Sequence, residues 1–138
     1  MDLDRFLAAQ DPVLDQVRAE LAAGRKRSHW MWFVFPQLRG LGSSAMAQQY
    51  GLASREEARA YLDHPVLGPR LEDCTALVNA VEGRSAEDIL GGIDALKFRS
   101  CMTLFAAVRP GESVFRSALR RYFGGVPDPR TLALLDAG

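Results

Sequence analysis

Lysine, histidine and cysteine each occur only twice in the 138 residues, and these shortages exclude a good deal. Cys74 and Cys101 are too few for a disulfide framework and fit a reducing compartment. No pair among the two cysteines and His29 and His64 has the short spacing of a structural zinc site, so no metal is expected. Apolar runs stay well short of the roughly 18 residues of a membrane span. The first residues, MDLDRFLAAQD, are acidic where a signal peptide is basic, so a cytoplasmic protein without a membrane partner is expected. Net charge is absent too: 17 basic residues balance 17 acidic ones, which leaves no overall field to draw in nucleic acid. Strand signals are missing, with no sustained apolar-polar alternation and no Asn-Gly or Asp-Gly turn. Neither a Walker loop nor a dinucleotide fingerprint is present, and no cofactor is expected.

What remains is a chain that is 48% hydrophobic and 25% charged, the balance of a soluble globule large enough for one core. Helix signals recur at nearly every break. Asp2 can cap a first short helix, and Asp11-Pro12 sets an N-cap before a proline at the first helical position, ahead of Val13, Leu14, Val17 and Leu21. Gly24 ends that run. Ser54 with Glu57 and Ser85 with Asp88 are capping patterns, and Pro65 or Pro69 opens a helix striped with Leu67, Leu71, Cys74 and Val78. Asp94 leads Phe98, Cys101, Met102, Phe105 and Val108 at steps of three and four. Helices from about Glu112 to Phe123 and after Asp128-Pro129 complete the series. The fold class expected is all-α, one compact globule of seven or eight helices spanning residues 1–138, with Trp30, Trp32, Phe98, Met102 and Phe105 sharing a core.

Residues 25–37 hold both tryptophans, two of the seven phenylalanines and one of the two histidines. As a short buried helix between Ser28, a possible N-cap, and Pro36, this segment supplies bulk for a core. As a pocket wall, it offers aromatic faces from Trp30 and Trp32 for a planar ligand, and Arg27, His29 and Gln37 for its polar edge. His29 is the candidate proton carrier because its unperturbed pKa lies near neutrality. His64, before Pro65, reads as a helix-start residue. With lysine so scarce, Lys97 beside Phe98 is either a base or phosphate anchor, or a snorkelling surface lysine. Ser100 and Thr103 flank the same helical face and either complete a site or bond back to a carbonyl. Gly42, Ser43 and Ser44 lie in a glycine loop ahead of a helix from Ala45 to Tyr50, where free amides can receive an anion or a serine can simply cap. The run Arg25-Lys26-Arg27 followed by aromatics has the outline of a nucleic-acid footprint, but zero net charge and no helix-turn-helix argue against nucleic acid as a partner.

Charge is segregated along the chain: residues 21–55 sum to +5 and residues 56–90 to −5. These blocks suggest an alternative function, a non-enzymatic interaction module whose opposed faces pair weakly with a second copy or a separate partner. The leading expectation is a pocket for a small anionic or nucleotide-like ligand, with hydrolysis as the reaction class if the protein is an enzyme, in a monomer or weak homodimer.

Four segments carry a resemblance: His29 to Gln37, Gly40 to Ser44, His64 to Leu71, and Lys97 to Phe105. Together they make the chain resemble the bacterial domain-of-unknown-function family eighteen-ten over essentially its whole length. The resemblance implies a multihelical domain and no established activity. Sequences of that family often bear the label calpastatin, which does not suit them, since a calpain inhibitor of that kind is disordered and poor in aromatics. This chain has Cys101 where the family often has a second serine, which speaks against a nucleophile at that position.

Overall fold

The computed structural model describes residues 2–137, and among them ten helices and no strand. They are α1 (Asp4–Gln10), α2 (Leu14–Ala22), α3 (Met31–Val34), α4 (Ala45–Tyr50), α5 (Arg55–Asp63), α6 (Leu67–Asn79), α7 (Ala86–Leu90), α8 (Gly92–Val108), α9 (Val114–Phe123) and α10 (Pro129–Ala137). The all-α expectation holds, but the count of seven or eight was too low. Short pieces such as the four residues of α3 and the five of α7 form because tertiary packing holds them, since turns of that length are unstable alone.

α8 is the axis of the molecule. Buried residues fall on every side of it, among them Phe98, Cys101, Met102, Leu104 and Phe105, the pattern of a helix enclosed by others rather than an amphipathic surface helix. α5, α7, α9 and α10 pack against it, and α6 lies against α2, α5 and α9. Aromatic rings knit the core together: Phe35 meets Phe98 edge-on at 5.0 Å, and Tyr61 and Phe115 each approach Phe105. Trp30, Phe98, Met102 and Phe105 share this core as expected. Trp32 does not; it is only half-buried and faces a surface cleft.

Several helix ends follow from local chemistry. The Ser44, Ser54 and Ser113 hydroxyls accept hydrogen bonds from the backbone N–H three residues on, and Ser85 with Asp88 forms a full capping box. The Nδ1 of His64 accepts from the amides of Val66 and Leu67, at 3.1 and 3.2 Å, which makes it a helix-start residue. Other starts differ from expectation: α6 begins at Leu67, with Val66 as its N-cap, rather than at Pro65 or Pro69. α2 starts at Leu14, not after Asp11, because Asp11 closes α1 and its carboxylate accepts a hydrogen bond from Arg70 at 2.8 Å. Nor does Ser28 cap α3, whose N-cap is Trp30; its hydroxyl and amide are both committed to Glu20. α7 and α8 are joined by Gly91 at φ +92°, a left-handed turn that favours glycine. The loop around α4 is closed at its base by a parallel bridge between Leu38 and Leu52, which fixes Gln37 beside the first turns of α8.

Candidate functional site

The site is assembled around a buried carboxylate. Glu20, on the last turn of α2, accepts five hydrogen bonds: from the backbone N–H groups of Arg27 (2.8 Å) and Ser28 (3.1 Å), the Trp30 indole (2.9 Å), the Ser28 hydroxyl (2.5 Å) and Gln16 (3.0 Å). Burial by itself would raise its pKa. The bonds from Ser28, Arg27 and Trp30 outweigh that cost and hold the carboxyl at about 2. One side chain thus pins residues 27–30 into a fixed wall, and the amide of Lys26 donating to Ile89 at 2.7 Å ties that wall to α7.

The same anchoring sorts the two tryptophans. Residues two apart on a helical turn point roughly 200° from one another, so with Trp30 drawn inward, Trp32 is turned outward. Trp30 is 1% exposed, and Lys26 sits 5.0 Å over its ring. Trp32 carries the ammonium of Lys97 at 4.7 Å. Asp94, in the first turn of α8, links the two lysines: its Oδ2 is 2.9 Å from Lys26 Nζ and its Oδ1 is 3.8 Å from Lys97 Nζ. The closer bond, with a further one from Lys26 to the Ser28 carbonyl at 2.5 Å, fixes Lys26. Lys97 is held more loosely, by the longer ion pair and the Trp32 ring.

Lys97 stands where three concavities meet. The first is a cleft of about 460 Å³ bounded by Lys26, His29, Trp32, Gly91 and Asp94, with exposed His29 at its rim. A second, tight and mostly apolar, is lined by Trp32, Gln37, Met46 and Tyr50. The third is a groove of about 360 Å³ running toward α10, lined by Gln37, Gly42, Ser100, Asp128 and Arg130. Here Asp128 accepts from the Thr131 amide and hydroxyl and from Ser100. Burial pushes its pKa up, but those bonds and nearby Arg99 hold it below the usual carboxylate range.

Of the residues singled out from sequence, the fold brings His29, Trp32, Gln37, Gly42, Lys97 and Ser100 to these three connected surfaces. Others it places apart. Trp30 is inside the core, and the side chain of Arg27 is exposed away from the cleft lining. Ser43 is exposed, while Ser44 spends its hydroxyl on the Ala47 amide. Thr103 donates to the Arg99 carbonyl and accepts from the Asp128 amide, and it borders a separate groove between α8 and α9. Sequence reasoning missed Glu20, Lys26, Asp94 and Arg130 as site residues. The scarcity of lysine that marked Lys97 applied equally to Lys26.

Compared with known families, residues 1–135 match the model described as Protein of unknown function (DUF1810). The chain belongs to this family. Among solved structures, this family member is similar to the crystal structure of the conserved hypothetical protein Rv1873 from Mycobacterium tuberculosis. The two are 59% identical, the alignment covers 98% of this chain and 96% of that one, and the TM-score is 0.96. No curated protein matches the chain. No helix among the described residues is long and apolar enough to cross a membrane.

Proposed function

We propose that the cleft at the start of α8 binds a small anionic ligand with a planar, nucleotide-like part. The observation that carries this reading is the position of Lys97, a loosely held cation 4.7 Å over the half-buried Trp32 ring at the meeting point of three concavities. A phosphate or carboxylate that approaches Lys97 competes with a carboxylate 3.8 Å away, longer than a hydrogen bond, so little is lost when Lys97 turns to it. Trp32 then offers an aromatic face beside the anion, and the amide of Gln37 a polar edge. His29 stands at the rim, with no side-chain hydrogen bond among the described residues to orient it as a base. The reading is therefore one of binding, with hydrolysis a question for the bound ligand.

Thermal denaturation in the presence of nucleotides and sugar phosphates tests it. A ligand at 100 times its Kd adds about 2.7 kcal/mol of stability. Lys97→Met and Trp32→Leu are expected to abolish the shift while leaving the unliganded melting temperature nearly unchanged, since both side chains are partly exposed. No stabilisation by any member of the library would overturn the proposal.

A further inference from the structure

The cleft and the groove toward α10 share lining side chains. Lys97 and Ile93 line each of them, and Gln37 lines the groove and the apolar pit. Ile93, Leu96, Lys97 and Ser100 follow one another at helical spacing on a single face of α8, so this face is a continuous track from the cleft to the α10 end. The track is exposed where it is apolar, with Ile93 at 74% and Leu96 at 64%. From Lys97 to Ser100 it advances roughly 4.5 Å along the helix axis.

The far end of the track is rich in cations. Arg99 and Arg130 join Lys97 around the groove, against one carboxylate, Asp128. Three cations thus face one anion, whose Oδ2 accepts from Thr131 twice and from Ser100. Arg99 is locked by bonds from Nε to the Val126 carbonyl and from Nη2 to the Pro127 carbonyl, both 3.0 Å, so its charge is fixed in place. Arg130 is exposed and makes one long bond, 3.3 Å, to the Leu41 carbonyl, which leaves it available to a ligand.

Building on the proposed function, we infer that the groove is a second anion subsite and that the ligand class is a nucleoside diphosphate or its ester rather than a monophosphate. The base lies against Trp32, the first phosphate meets Lys97, and the second enters the groove between Arg99 and Arg130. Arg99 and Arg130 line the groove and not the cleft, so a second phosphate on the same chain meets cations that the first, at Lys97, leaves unused.

The experiment is calorimetric titration of the full chain with AMP, ADP, GMP and GDP. For at least one base, the diphosphate is expected to bind about tenfold or more tightly than the monophosphate, the gain of one charge-assisted contact. Arg130→Gln is expected to erase that advantage by weakening the diphosphate about tenfold and the monophosphate by less, while Arg130→Lys keeps part of it. Because Arg130 is exposed, neither variant threatens folding. Equal affinity for mono- and diphosphate overturns the second subsite and leaves the proposed function standing. A diphosphate advantage that survives Arg130→Gln and also Arg130→Glu overturns the placement in the groove. Failure of all four nucleotides to bind, when sugar phosphates do stabilise the protein, overturns the nucleotide assignment; failure of every ligand overturns the proposed function with it.

Discussion

Glu20 shows how much one residue can decide. Its carboxyl is held at about 2 in the folded protein, against an ordinary value of 4.5. A depressed folded-state pKa means that the unfolded chain binds the proton more readily, so the stabilisation is complete above about pH 4.5 and is lost as pH falls toward 2. The full effect is on the order of 3 kcal/mol. Chemical denaturation at pH 6 and pH 3 should show the native protein losing stability between the two. In Glu20→Gln an NH₂ replaces one acceptor and confronts donors, so this variant should be less stable at pH 6 by about 2 kcal/mol or more, with a flatter decline toward pH 3. A decline as steep in Glu20→Gln as in the parent would mean that other carboxyls carry the acid limb. Nothing in the sequence marks Glu20, because an acidic residue near the end of an amphipathic helix ordinarily faces water. Its burial follows from the path of residues 25–30 back across α2, a tertiary fact. Trp32 was misplaced for the same reason: composition shows two tryptophans, and only the anchoring of one shows which way the other faces.

At the scale of elements, chemistry confined to four consecutive residues was legible and chemistry that depends on a neighbouring helix was not. The serine caps of α4, α5 and α7 and the glycine after α2 were readable because donor and acceptor lie within one turn. The start of α2 was not, because Arg70, 59 residues away, takes the carboxylate that would have capped it. The α5–α6 elbow combines both kinds. His64 caps the second helix locally, while Gly68 allows the two helices to touch: a Cβ there would lie 2.1 Å from the carbonyl oxygen of Leu62. The obstacle is backbone, so no rotamer change relieves it. Alanine ordinarily favours a helix by about 1 kcal/mol over glycine, yet Gly68→Ala should destabilise the protein by about 3 kcal/mol or more, because α5 and α6 must separate and both pack on the core. Urea denaturation checks the sign, and a variant as stable as the parent would show that the elbow relaxes freely.

For the molecule as a whole, the question is whether its segregated charges form an interaction surface or are consumed internally. The sequence showed the +5 and −5 blocks and could not show their neighbours. In the fold, the eight ion pairs among the described residues include none between residues 21–55 and residues 56–90. Four acidic residues of the negative block, Glu57, Asp63, Glu72 and Asp73, instead face Arg5, Arg18 and Arg109 from outside both blocks. The positive block gives Lys26 to Asp94 and leaves Arg25 and Arg27 exposed. The negative face is thus partly neutralised by its own chain, and exposed pairs across a dimer would each contribute less than about 1 kcal/mol. We therefore expect sedimentation to give the same monomer mass at low and high salt, although the Debye length shrinks from about 30 Å to a few ångströms across that range. Ligand affinity should behave differently and weaken with salt, because Lys97 and Arg130 act on a charged ligand near the surface. The two measurements separate the readings further with Arg25→Glu, which reverses a charge of the basic block outside the cleft lining. If the charged faces are the functional surface, low salt reveals a dimer that Arg25→Glu weakens, and Lys97→Met leaves it intact. If the cleft is, mass stays monomeric in both variants, and only Lys97→Met removes ligand binding.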